Sequence, residues 1–227
     1  MKYNRLVLNI PHSSDNVLYD GWNSRNALKK HIKRWTDWKT DELFVPDKLW
    51  ENDSIRPVIA HLSRFTLDIE RLEDDPLESI GQGIIYTKFE DCYRNVDDAL
   101  RAKLRTEYLC YMAALKTALQ PGALLIDCHS FPSNLSDTDV CIGTNNDWSK
   151  PDEETINAIK RLFENYGYKV SINEPYANSI TPDAEFEYNS IMIELNKRTY
   201  MNEETMTFQM EGMKHAIMEL YSLLLDS

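Results

Sequence analysis

Glycine is scarce in this chain, 7 residues in 227, and no Gly/Ser linker, low-complexity tract or internal repeat interrupts it. That continuity predicts one compact unit spanning 1–227. The length and the 42% apolar content suit one sizeable core and are short for two domains of roughly 100 to 200 residues each. The four cysteines, Cys92, Cys110, Cys128 and Cys141, include no C-x-x-C pair, which excludes a zinc ribbon or a dithiol redox motif and predicts free, mostly buried thiols. No apolar run approaches the roughly 18 residues of a membrane helix. Positive charge is also in deficit: 25 Lys plus Arg face 37 Asp plus Glu, a net charge of -12. Such a surface opposes nucleic acid and anionic membranes, although a few arginines focused in a cleft can still take a small anionic substrate. The opening MKYNRLVLNIPH has no signal-peptide core or small-residue cleavage site, so a soluble cytoplasmic protein is expected. There is no G-x-S-x-G elbow and no G-x-x-x-x-G-K-[ST] loop, and Gly81-Gln82-Gly83 lacks the third glycine of a dinucleotide fingerprint.

Short apolar runs predict strands at 5–10, 57–62, 84–87, 123–127, 139–142, 168–172 and 191–195. Several lack polar alternation, as interior strands do. Leu100, Leu104, Tyr108, Tyr111, Leu115 and Leu119 recur at helical spacing, as do Met206, Met210, Met213, Ile217, Leu220 and Leu224. Pro151-Asp-Glu-Glu opens a further helix with acids in its first turn. Strands alternating with helices predict an α/β fold with a mainly parallel or mixed central sheet flanked by helices. Functional residues in such sheets collect beyond the carboxyl ends of the strands.

Three strand ends carry polar residues that packing does not require: His12-Ser13-Ser14, Cys128-His129-Ser130 and Glu194. A histidine at a strand end is ordinarily a turn or satisfied core residue. Two of them, each followed by serine in a chain with 5 histidines, favour a shared site if the strands are neighbours. Two imidazoles and a carboxylate form a common zinc set with an open fourth position. Asp37 and Asp41, four apart, are candidates for the third ligand and would share a face if their segment is helical; Asp37 could equally cap a helix. Cys128 and His129 are adjacent on a strand and point to opposite faces, so they form no thiol-imidazole pair and Cys128 belongs to the core. Arg64 and Arg71, seven apart with acids between them, form either a solvated ion-pair cluster or a guanidinium fork for a substrate carboxylate. Asn196-Lys197-Arg198, just past Glu194, adds a second basic group.

The blocks LVLNIPHSS, TDWKTDELF, SRFTLDIERLEDD, GQGIIYT, LLIDCHSFPS, DVCIGT, NEPYANS and SIMIELNKRTYM, in this order over nearly the whole chain, resemble the N-formylglutamate amidohydrolases, the N-formylglutamate deformylases of histidine catabolism. The resemblance implies a zinc-exopeptidase-like (phosphorylase/hydrolase-like) α/β fold. It implies a metal-dependent amidohydrolase acting on linear amides, with one Zn2+ as cofactor and N-formyl-L-glutamate, or a similar N-acyl acidic amino acid, as substrate. Carried onto this sequence, it makes His12 and His129 metal ligands with Asp37 as the third and Asp41 as the alternative. Glu194 takes the position of the general base and acid, and Arg64, Arg71 and Arg198 those that hold substrate carboxylates. A zinc carboxypeptidase-like peptidase and a non-catalytic binding module on the same fold are the rival expectations. The chain departs from the family after GQGIIYT, where Y-Y-x-P-Y-H is replaced by Cys92-Tyr93-Arg94-Asn95-Val96-Asp97. If the missing histidine contacts substrate in relatives, a shift in substrate is expected here.

Overall fold

The computed structural model describes residues 2–45 and 53–225. Among these, the strands β1 (Arg5–Ile10), β2 (Ile55–Ile59), β5 (Ala123–Phe131), β6 (Val140–Thr144), β7 (Val170–Ile172) and β8 (Asn189–Asn196) form one sheet in the order β2-β1-β5-β8-β6-β7. The first four in that order run parallel; β6 is antiparallel to β8, and β7 is parallel to β6. Two small hairpins stand apart, β3 (Lys88–Phe89) with β4 (Cys92–Tyr93) and β9 (Met201–Asn202) with β10 (Thr207–Phe208). The helices are α1 (Arg25–Trp35), α2 (Thr40–Phe44), α3 (Asp98–Ala118), α4 (Glu153–Asn165) and α5 (Glu211–Leu224).

The sheet is covered on both faces, and the period-2 alternation of its strands sorts side chains between two cores. Leu6, Leu8 and Ile10 of β1, Leu124 and Ile126 of β5, and Ile191 and Ile193 of β8 pack with the apolar faces of α2, α4 and α5. Val7, Ala123 and Leu125 face the other way, against Leu104, Tyr108, Met112 and Leu115 of α3. All nine residues of β5 are buried, the signature of a central strand. Full burial of each such aliphatic side chain contributes about 1.5–3 kcal/mol, so the central strands hold the frame on which the site is built. Helix starts follow the sequence: the Asp97 carboxylate accepts from Leu100 N and that of Asp152 from Thr155 N, satisfying amides that lack an intrahelical partner.

A third cluster, with Leu28 and Ile32 of α1, Phe65, Tyr86, Phe89 and Cys92, lies outside the two sheet faces. It fastens α1 to the β3–β4 hairpin. The expected strand at 84–87 falls here and does not form: Ile84 and Ile85 enter the α3 core while Tyr86 enters this third cluster. Its apolar run reflects burial on two sides, not pairing in a ladder. The expected strand at 57–62 is shifted to Ile55–Ile59. Met206 precedes α5; it has φ +56° and belongs to the β9–β10 hairpin connection, so the helical spacing of the methionines starts too early.

The segment that departs from the family pattern also finds its place. Asn95 N donates to Gly21 O at 2.9 Å, and a Cβ at Gly21, where φ is +81°, would stand 1.9 Å from Asn95 O. Glycine is required there by both conformation and approach.

Candidate metal centre and active site

Strands β1, β5 and β8 are adjacent, so the three polar strand ends converge. The chain leaves β1 for β2 on one side while β5 lies on the other, which opens a crevice at the carboxyl ends. His12 follows β1 by two residues. His129 lies on β5, and Glu194 is its direct partner on β8. Asp37 sits on the turn between α1 and α2, where its backbone N donates to His12 O at 2.9 Å. Its carbonyl accepts from Thr40 N and Oγ1, so the carboxylate is left free of any capping role. Asp37 is thus outside the helix, α2 begins at Thr40, and Asp41 does not share a face with it. Asp41 belongs to none of the convergent groups among the described residues.

His12, Asp37 and His129 are all buried, and one ligand atom from each lies within 4.8 Å of the others. His129 Nδ1 is 3.1 Å and His12 Nδ1 3.9 Å from Asp37 Oδ2. Tetrahedral zinc with bonds near 2.0–2.1 Å separates its N and O ligands by about 3.3 Å, so small side-chain adjustments suffice. The opposite nitrogens are already engaged. His12 Nε2 donates to Asp68 Oδ1 at 2.8 Å, and His129 Nε2 to Asp127 Oδ1 at 3.1 Å. Carboxylates on the far nitrogen fix ring orientation and present Nδ1 as the ligand atom, as in metal-binding histidines generally. This donor chemistry fits a zinc-like ion.

Burial and the Arg64 guanidinium pull the His12 imidazole down to about 4, against the opposing effect of Asp68 and Asp37. It is neutral at physiological pH, and its Nδ1 accepts from Arg64 Nη2 at 2.5 Å, a hydrogen bond that an ion bound at Nδ1 would displace. His129 behaves oppositely: burial works against its charge, but Glu70 and Asp127, with hydrogen bonds to Asp127 and Asp37, hold it well above the usual histidine range. A cation at Nδ1 would take the place of that proton. For Asp37, burial is outweighed by the His129 hydrogen bond and by Arg64, and its carboxyl is lowered. Asp68 is likewise lowered, burial being overcome by His12 and the arginines. Glu194 goes the other way: burial, with Asp37 and Glu70 adding to it against His129 and Arg64, pushes it up to about 8. Its Oε2 is buried without a hydrogen-bond partner.

Asp37 and Glu194 open onto a cleft of about 380 Å³. Asp37, Glu194, Arg64 and Arg71 meet there with Gln82, Ser130 and an aromatic wall of Trp35, Tyr86, Phe89, Phe131 and Tyr176. Arg64 Nη2 is 3.6 Å from Asp37 Oδ1, and Arg71 is 3.5 Å from Asp68 and 3.4 Å from Asp75. Both guanidinium groups keep a buried Nε without a hydrogen-bond partner. The cluster around them is buried, not solvated: Asp68 is inaccessible and its Oδ2 accepts from Tyr86 Oη at 2.6 Å.

Arg198 is not in this cleft. A short 3-10 turn, Lys197–Thr199, follows β8, and Asn196 Oδ1 accepts from Arg198 N, so the chain turns away. The Arg198 guanidinium binds Asp139 at 2.9 Å and the carbonyls of Ser136 and Asp137, strapping a surface loop. Its neighbour Lys197 points inward instead: fully buried, it donates from Nζ to Arg34 O at 2.6 Å, near the end of α1. Asp97 is also remote from the cleft, capping α3 beside a different hollow with Gly21 and Asn95. The departure at 92–97 therefore leaves the cleft lining beyond Phe89 and Glu90 untouched.

Sequence reasoning missed Asp68, Asp127 and Glu70, and it grouped Lys197 with Arg198 as a basic pair beside Glu194 that the turn after β8 splits. Asp127 had a signal, since it precedes His129 by two on one strand and must share its face. It also accepts from Asn9 Nδ2 at 2.7 Å and from Ile180 N at 3.1 Å, so its lone pairs are largely used. Glu70 Oε2 lies 2.9 Å from His129 Nε2 in ion-pair contact without hydrogen-bond alignment. Glu70, Asp127 and His129 also converge within 4.8 Å. With Asp127 committed to Asn9 and Ile180, that group serves better to orient His129 than to hold an ion.

No curated protein sequence matches the chain significantly. Among solved structures, it is similar to an N-formylglutamate amidohydrolase from Ralstonia eutropha, with 20% identity and a TM-score of 0.73 over 99% of this chain and 93% of that one. A gene product from Agrobacterium tumefaciens superposes with a TM-score of 0.62 at 17% identity, covering 98% of this chain and 89% of the other. These likenesses carry the fold. The sequence profile of N-formylglutamate amidohydrolase matches residues 4–201, from the start of β1 through the ends of β5 and β8 that bear the histidines and Glu194, and the chain therefore belongs to the N-formylglutamate amidohydrolase family.

Proposed function

We propose that the protein is a zinc-dependent amidohydrolase that cleaves the amide bond of N-formyl-L-glutamate, or of a similar small N-acyl acidic amino acid, to the free amino acid and formate or the corresponding acid. The observation that carries this reading is the convergence of His12, Asp37 and His129 beside the buried, partnerless Glu194 oxygen. A divalent ion held by those three donors would supply Lewis acidity, polarising an amide carbonyl and lowering the pKa of water toward about 7.

The remaining work falls to this chain's own groups. Glu194 receives the proton of the attacking water and delivers it to the departing nitrogen, so that hydroxyl ends on the acyl carbon and hydrogen on the amine. Its elevated pKa suits both halves of that transfer. Arg64 and Arg71, both lining the cleft, orient the substrate carboxylates. The aromatic wall excludes bulk water and strengthens these charge interactions. Asp68 and Asp127 hold the imidazoles in register.

Formate release from N-formyl-L-glutamate, measured alongside metal content on protein purified without chelator, tests the reading. Stoichiometric zinc with turnover lost on chelation and regained on zinc addition is the expected result. Turnover unaffected by removal of all metal would defeat it.

A further inference from the structure

A second set of metal-binding atoms lies outside the catalytic cluster. His31 on α1 faces the β3–β4 hairpin, where its Nε2 is 3.0 Å from Asp91 Oδ1. The Cys92 thiol donates to the same Asp91 oxygen at 3.8 Å. One ligand atom from each of His31, Asp91 and Cys92 lies within 4.8 Å of the others, and among the described residues this is the convergent group that contains a thiol. Zinc bonds of about 2.0–2.1 Å to N and O and about 2.3 Å to S put tetrahedral ligand pairs about 3.3 Å (N to O) and 3.5 Å (S to O) apart. The observed pairs bracket those separations. Imidazole, carboxylate and thiolate together suit zinc and its spectroscopic substitute cobalt, and not a hard cation such as magnesium or calcium.

The surroundings repeat the arrangement of the catalytic histidines. His31 Nδ1 faces a second carboxylate, Glu90 Oε2, at 3.7 Å, so the far side of the ring again meets a carboxylate. The Asp91 side chain is 73% exposed, which gives an ion a path from solvent to a cysteine that is otherwise buried. The site also touches the cleft. His31 and Trp35 both pack edge-on against Phe89, and Trp35, Phe89 and Glu90 line the cleft wall.

We propose that His31, Asp91 and Cys92 form a second, thiolate-containing site for a zinc-like divalent cation, whose occupancy pins the β3–β4 hairpin to α1 at the wall of the cleft. The ion displaces the Cys92 thiol proton to solvent, and water completes the fourth position. No ligand is shared with the set of His12, Asp37 and His129, so the two sites can be emptied separately.

Cobalt titration of the full chain tests this directly, because a thiolate ligand gives a near-ultraviolet sulfur-to-cobalt charge-transfer band that a site of two imidazoles and a carboxylate does not. Wild type should bind two cobalt ions per chain and show the band. Cys92→Ser should lose the band and one ion. Asp91→Asn, at an exposed position that leaves packing intact, should weaken the same ion if the serine variant fails to fold. His12→Ala and His129→Ala should retain the band while losing the other ion. Amide exchange at residues 90–93 should slow as this site fills and should not respond in Asp91→Asn. A saturated wild-type chain without the band, or a band that survives Cys92→Ser, overturns the proposal and leaves the catalytic reading intact. A wild-type chain that binds one cobalt ion and shows the band would instead defeat the catalytic metal assignment alone.

Discussion

His129 and Glu194 occupy directly paired positions on neighbouring parallel strands, β5 and β8, so the imidazole and the carboxylate issue from the same face of the sheet at the same height. Their spacing is set by the ladder and not by a loop. Substitutions at either position should therefore report on chemistry more than on folding.

His12→Ala and His129→Ala are each expected to lose stoichiometric zinc while remaining folded, since neither side chain belongs to the apolar clusters. Asp37→Asn should do the same, and Asp41→Asn should retain the ion. Metal analysis with circular dichroism checks all four. Full zinc occupancy in the Asp37 variant would assign the third ligand elsewhere.

Glu194→Gln should keep metal and lose about 10²- to 10⁴-fold in kcat, the ordinary worth of a positioned acid-base group. The same variant should show a stability signature in the metal-free protein. The folded carboxyl is raised from 4.5 to about 8, so the folded state holds the proton more tightly than the unfolded state does. The resulting penalty is absent below 4.5, grows as pH rises through that window and is complete above about 8. Melting temperatures of wild type and Glu194→Gln should accordingly agree near pH 4 and separate by pH 9, with the variant the more stable. Parallel curves over this range would contradict the burial argument.

Arg64→Ala and Arg71→Ala should lower kcat/KM for N-formyl-L-glutamate, each through loss of charge-assisted hydrogen bonds worth roughly 1.5 to 3 kcal/mol, or about 10- to 150-fold. Lysine should rescue little because it lacks the paired donors. Arg198→Ala should leave kinetics unchanged and reduce the melting temperature slightly, as expected of an exposed ion pair worth about 0–1 kcal/mol. A selective kinetic defect in Arg198→Ala would return that residue to the substrate.

Asp68→Asn preserves shape but replaces a charged acceptor on His12 Nε2 with an amide. It should weaken metal affinity by about 10- to 100-fold, the usual cost of losing an outer carboxylate. Competition against a chelator of known affinity measures it, and unchanged affinity would mean that Asp68 serves Arg71 and Tyr86 instead.

The parts of this architecture legible in the sequence are those governed by local periodicity. Uniformly apolar runs identified β1, β5 and β8, and polar residues at their ends identified His12, His129 and Glu194. The segment 84–87 was misread because burial in two clusters imitates a strand, and Met206 because a hairpin methionine happened to fall in helical phase. α1 was invisible for a different reason: only Leu28 and Ile32 are buried on it, too few for a clear apolar stripe. Arg198 and Lys197 show the limit most plainly. The two are adjacent and both basic, yet the turn after β8 sends one to the surface and buries the other, a choice made by Asn196 and not by charge. Asp68 carries no spacing signal toward His12, since 56 positions separate them.

The backbone bond from Asp37 N to His12 O joins two of the proposed ligands through main chain alone. Small zinc domains collapse around their ion because nothing else orders the ligands. Here the sheet and this tie order them beforehand, so the ion should arrive as a late guest in a finished room. Chelated protein should keep its shape, recover activity on simple re-addition of metal without refolding, and melt lower only by the mass-action amount that the free ion concentration dictates.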